Sequence, residues 1–158
     1  MKLTRFTLAL LSAGALCAGT SAQAASAKAA KDDPAAKLPM ESAQGDVRYV
    51  TGGVGHGEAL AFERAEKSYP LSLEFAMKAR PREEFVADVS VSIRDANGKT
   101  SLDAKSQGPF LLAKLPAGRY DIKATMDGKT LERHATVVDG KSAHVSFVWP
   151  QAASGRHG

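Results

Sequence analysis

Residues 52–57 read Gly-Gly-Val-Gly-His-Gly and run directly into Glu58. Glycines let several backbone amides crowd around an anion, and a helix starting there would add a favourable dipole. A phosphate-cradling loop of the Walker kind, however, must end in Gly-Lys-Ser/Thr, whereas this one ends in Gly57-Glu58. A dinucleotide fingerprint needs Gly-x-Gly-x-x-Gly within a parallel β-α-β unit, and neither the spacing nor the flanking pattern matches. Glu58 would also repel an anion. Two readings stand: a strand-to-helix connection that needs positive φ at several residues, and a binding loop with Gly53, Gly55, His56 and Glu58 as its candidate residues.

The other groups with chemical potential are the histidines, His56, His134, His144 and His157. A metal site needs three or four converging ligands. If residues 131–138 and 143–149 form a hairpin with a three-residue loop, Ala135 lies opposite Val145. His134 and His144 are then diagonal neighbours on the outer face. A two-residue loop would put them on opposite faces. The three-residue register is preferred because it turns Leu131, Ala135 and Val137 inward together. That makes His134 and His144 the candidate metal pair, without an evident third ligand. In the same register Ser146 approaches His134, but two residues do not make a catalytic triad, and no nucleophile-elbow sequence is present.

The elements that would carry these residues are mostly strands. Residues 48–51 form a candidate first strand. Residues 58–67 are strong helix formers with Leu60, Ala61 and Ala65 along one stripe, ended by Tyr69-Pro70. Leu71, Leu73 and Phe75 alternate with polar residues. Residues 85–94 read as the cleanest strand, with Phe85, Ala87, Val89, Val91 and Ile93 on one face. Short strands follow near 100–104 and 110–114, then a longer run in which Tyr120, Ile122, Ala124 and Met126 alternate with polar residues. The expected terminal hairpin turns at Asp139-Gly140-Lys141, with Val145, Phe147 and Trp149 facing inward. Tyr120 and Trp149 therefore read as packing residues. Residues 80–84, Arg-Pro-Arg-Glu-Glu, are a solvated link of mixed charge. Turn signals recur every ~8–12 residues from Asp95 onward, the spacing of an antiparallel sandwich.

The chain has 158 residues, enough for one ordinary domain. Its first 24 residues read as a secretory signal: Lys2 and Arg5, a short apolar run over 6–17, and Ala22-Gln23-Ala24 before the cleavage point. That run is well short of the ~20 residues that span a bilayer. Cys17 lies inside it without a lipobox, so the mature chain is expected to carry no thiol, disulfide or lipid. Without Lys2 and Arg5 the net charge falls from +4 to +2, too small an excess to argue for nucleic acid or an anionic membrane. Residues 25–45 are poor in large apolar side chains and read as a flexible tether, and 151–158 as a disordered tail. The domain is expected over 46–150.

The residues Val89-Ser90-Val91-Ser92-Ile93-Arg94-Asp95, Gly98-Lys99-Thr100, Leu115-Pro116-Ala117-Gly118-Arg119-Tyr120-Asp121-Ile122 and Asp127-Gly128-Lys129 resemble the carboxypeptidase regulatory-like and transthyretin-like sandwich family. The resemblance covers about 65 residues and implies a glycine-made tight turn and an inward tyrosine. The segment 49–55, with its helix and the strand at 71–75, is also similar to uncharacterised exported proteobacterial proteins. The enzymatic relatives set limits. Transthyretin-like hydroxyisourate hydrolases end in Tyr-Arg-Gly-Ser, which this chain lacks, and carboxypeptidases keep their zinc in a separate domain.

The expectation from sequence is thus an all-β protein, an antiparallel seven-stranded Greek-key β-sandwich of transthyretin or immunoglobulin type with one short helix near its start. The expected function is a non-enzymatic periplasmic or secreted binding or interaction module, with a protein or small molecule as partner. No cofactor, nucleic acid or stable membrane anchor is expected. The alternative is a metal or small-ligand binder using His134 and His144.

Overall fold

The structure is a computed structural model that describes residues 36–151. The expected signal, most of the tether and all but the first residue of the tail lie outside the described residues. Ten strands and one helix follow in order: β1 (Ser42–Gln44), β2 (Val47–Gly52), α1 (His56–Ala65) with a 3-10 turn (Glu66–Ser68), β3 (Leu71–Met77), β4 (Glu84–Phe85), β5 (Val89–Asp95), β6 (Thr100–Ser106), β7 (Phe110–Lys114), β8 (Gly118–Met126), β9 (Lys129–Val137) and β10 (Ala143–Trp149). They form two sheets. The six-stranded sheet runs β1-β2-β7-β3-β10, with β4 pairing β3, and the four-stranded sheet runs β6-β5-β8-β9.

Period-two alternation explains how the sheets meet. Leu71, Leu73, Phe75, Leu111, Ala113, Phe147 and Trp149 of the first sheet share one buried cluster with Val89, Val91, Ile93, Leu102, Ile122 and Ala124 of the second. Burial of each large side chain contributes about 1.5–3 kcal/mol before the entropy of ordering is subtracted. Near β2 and β7 the first sheet is covered on its outer face as well. There Phe62 of α1 packs on Val50, Tyr69, Phe110 and Leu112. This double covering explains the unbroken apolar run Phe110-Leu111-Leu112-Ala113. The helix buries Gly57, Ala61 and Phe62, so its inward stripe differs from the expected Leu60, Ala61 and Ala65.

Five expectations are corrected. The segment expected as a tether up to residue 45 ends in structure. Ser42–Gln44 pairs antiparallel with β2, Glu41 accepts the Tyr69 hydroxyl at 2.6 Å and pairs with Lys114 Nζ at 2.7 Å, and Gln44 Oε1 accepts the Asp103 amide at 2.6 Å. The run 85–94 is two strands in different sheets, because Asp88 takes φ 59° where the chain crosses over, and Phe85 is left exposed. Among the described residues the strands number ten rather than seven. Finally, 131–138 and 143–149 do not form a hairpin. β9 pairs β8, whereas β10 lies parallel to β3, with Val145 opposite Leu73 and Phe147 opposite Phe75. The turn at 138–141 forms, with Lys141 N donating to Val138 O at 3.0 Å, but it arches from one sheet to the other. The pairing of β10 with β3 also overturns a wholly antiparallel arrangement.

Candidate functional site

The glycine loop is closed by its own chain. Gly53 N–H donates to Glu58 Oε1 at 3.0 Å, so the carboxylate that follows the loop occupies the amide an external anion would need. Gly53 has φ 93°, and a Cβ there would overlap the Phe110 ring. Gly53 and Glu58 are thus brought together and satisfy each other, while Gly55 and His56 remain exposed at the start of α1. The glycines are accounted for by close approach and by positive φ.

The candidate metal pair is separated. His134 stands on the outer face of the four-stranded sheet, where Nδ1 lies 2.6 Å from Asp121 Oδ1, its cross-strand partner on β8. His144 stands on the outer face of the other sheet, directly opposite Ser72. The expected shared face is therefore overturned: Ala135 lies opposite Tyr120 and Val145 opposite Leu73, and Ser146 lies beside Glu74 rather than near His134. Among the described residues no three His, Cys, Asp or Glu side chains are placed to hold a metal ion. His157 lies outside the described residues.

Around His144 there is instead a small polar cluster. Its Nδ1 is 3.4 Å from both Ser72 Oγ and Glu66 Oε2, and its Nε2 is 3.6 Å from Glu74 Oε2. Ser72 is fully buried, and its hydroxyl also reaches Glu66 at 3.5 Å. Burial pushes the Glu74 carboxyl above the usual carboxylate range. His144 opposes this, and the charges of Glu66, Glu63 and Glu83 reinforce it. A carboxyl raised by folding favours the native state while protonated, and this contribution fades as pH rises from the ordinary carboxylate pKa through the raised one. Glu74→Gln is therefore expected to stabilise the protein at pH 8 by less than about 1 kcal/mol and to flatten its stability as pH rises above the ordinary carboxylate pKa. Urea unfolding at several pH values measures both effects. A loss of stability at pH 8 would show that Glu74 acts chiefly as a partner of His144.

A further concave surface lies elsewhere. Three connections converge on a cleft of about 710 Å³: the β1–β2 turn, the β5–β6 turn and the β7–β8 link. Its lining includes Asp46, Asp95, Lys99 and Arg119 together with Val47, Leu115, Pro116 and Tyr120. The walls are rigid for identifiable reasons. Asp95 Oδ1 accepts the amides of Asn97 at 2.9 Å and Lys99 at 3.0 Å, and the Tyr120 hydroxyl donates to Pro116 O at 2.7 Å. Burial raises the Tyr120 hydroxyl above its ordinary pKa, with the charge of Asp95 adding to the effect. β2 runs from Val47 in the cleft to Gly52 at the glycine loop, so cleft and loop lie at opposite ends of the sheet, roughly 17 Å apart along the strand. The sequence reading recognised Lys99 and Arg119 only as members of turn motifs. Successive strand directions, counted through the turns, carry the signal that those turns share one end.

No family model matches the chain, and no curated protein matches it.

Proposed function

We propose that this protein is a non-enzymatic binding or interaction module, exported to the periplasm or secreted, and built as a Greek-key β-sandwich of the transthyretin-like and carboxypeptidase regulatory-like kind. The observation that carries the binding reading is the cleft made by three turns at one end of a two-sheet scaffold. Its volume falls within the ~300–1,000 Å³ range of ligand clefts, and loops held by a rigid framework are where binding concentrates. The sandwich reading is supported by the common core of the two sheets. It is also supported by the hydroxyl of Tyr120 bonding to the backbone four residues upstream, as in the tyrosine corner of such folds. Export is supported by the basic, apolar and small-residue pattern of residues 1–24.

Photo-crosslinking in the native host tests the site. A photoreactive amino acid placed at Asn97, on the cleft, is expected to give a discrete adduct. The same residue placed at Val54, which is 65% exposed at the opposite end, is expected to give none. Adducts from Val54 alone, or from neither position, would overturn the assignment of binding to the cleft.

A further inference from the structure

We infer that β10 pairs edge to edge with β10 of a second copy of this chain, joining the two six-stranded sheets across a twofold axis. β10 lies parallel to β3, with Ala143 N donating to Pro70 O at 2.9 Å and Trp149 O accepting from Lys78 N at 2.8 Å. The ladder between these bonds is unbroken. Its odd-numbered residues therefore turn their amides and carbonyls to β3, and those of His144, Ser146 and Val148 turn away. Among the described residues no strand pairs with that outer side. The other edges are blunted in ways that sheet edges commonly are. β1 and β4 are only three and two residues long. On β6 the Asp103 amide is taken by Gln44 Oε1 at 2.6 Å. β9 carries Lys129, Glu132, Arg133 and His134 within nine residues, and its Lys129 carbonyl accepts the Trp149 indole. β10 instead presents seven residues, Ala-His-Val-Ser-Phe-Val-Trp, with no bulge, proline or lysine. Its one titratable side chain, His144, is turned toward Glu66 and Glu74 of its own chain.

A second copy fits this edge because the strand is complementary to itself. In an antiparallel pair centred on Ser146, His144 meets Val148 of the second copy, and every outward amide and carbonyl finds a partner. The ionisable side chains of the two β10 strands do not oppose each other, and the half-buried Val145 falls opposite Phe147 of the second copy. The contact is isologous and closes on itself, which gives a dimer rather than a fibre. It shares no residue with the cleft, so it stands or falls independently of the binding reading above.

Sedimentation equilibrium of the purified full chain is the test, and a reversible dimer is expected. Ser146→Lys sets two ammonium groups opposite each other at the axis and is expected to weaken the dimer at least about tenfold, whereas Ser146→Thr should leave it intact. Ser146 is exposed, and circular dichroism reports whether both variants are folded. Cys17 is the chain's sole cysteine. In a Cys17→Ser background, Ser146→Cys is expected to give a disulfide-linked dimer on mild oxidation, because directly opposite residues stand ~5.5 Å apart at Cα, within disulfide reach. Ser90→Cys, at an exposed position of the other sheet, should give none. A chain that stays monomeric at every concentration, or a dimer indifferent to Ser146→Lys, would overturn the inference. A photoreactive residue at position 146 that captures a different protein in the native host, while the chain itself sediments as a monomer, would assign the edge to a foreign strand and sink self-pairing equally.

Discussion

Trp149→Ala is expected to cost about 3–5 kcal/mol of folding stability, the range for deleting a large buried aromatic side chain. Trp149 is 1% exposed and sits between Phe75, with ring centroids 6.4 Å apart, and Phe147, at 6.2 Å. Its indole also reaches across the molecule. Nε1 donates to Lys129 O of β9 at 3.0 Å, which links the edge strand of one sheet to the edge strand of the other. The substitution therefore leaves a cavity and removes a bond between the sheets. A domain of this size commonly has ~5–15 kcal/mol in total, so the variant retains little of it. Trp149→Phe keeps most of the apolar area but not the donor, and is expected to cost about 1–2 kcal/mol. Urea unfolding followed by circular dichroism suits both variants, because Trp149 is the chain's sole tryptophan. A loss below about 1 kcal/mol for Trp149→Ala would contradict its role in closing that side of the core.

Gly108→Ala is expected to be comparably damaging, at roughly 3 kcal/mol or more, for a different reason. A Cβ at Gly108 would overlap the backbone carbonyl of Gly52, and a strand backbone cannot swing aside as a side chain can. Gly52 is anchored opposite Phe110 in the β2–β7 ladder. On the other side, Ser106 Oγ donates to Gly108 O at 2.7 Å and to Phe110 O at 3.2 Å. Both sides of the contact are therefore held. Gly55→Ala is the matched control. Gly55 has φ 92° with nothing within 4 Å of its would-be Cβ, so only the left-handed backbone is penalised, at about 1–2 kcal/mol. If the two variants lose equal stability in the same unfolding assay, steric collision is not what requires glycine at position 108.

The glycine-rich run 52–57 shows what sequence reasoning leaves open. Glycine density marks places where the backbone must come close to something, but not to what. Here the close neighbours are the chain's own Phe110 ring, the Gly108 backbone and the Glu58 carboxylate. Glu58 argued against an anion by its charge, and the structure adds that it takes the Gly53 amide itself.

Local pattern determined several elements of this protein and the faces they bury. β7 and β10 occupy the spans their apolar residues and bounding turns mark, one helix precedes β3, and Tyr120 and Trp149 turn inward. Tertiary structure decided which strands pair. Alternation every second residue states which side is apolar, and that information is the same whether β10 lies against β9 or parallel to β3. The split between β4 and β5 required a positive φ at Asp88 to carry the chain between sheets. The separation of His134 from His144, and the gathering of Asp46, Lys99 and Arg119 around one cleft, followed from that pairing. Such proximities join residues distant in the chain, and only packing of the two layers brings them together.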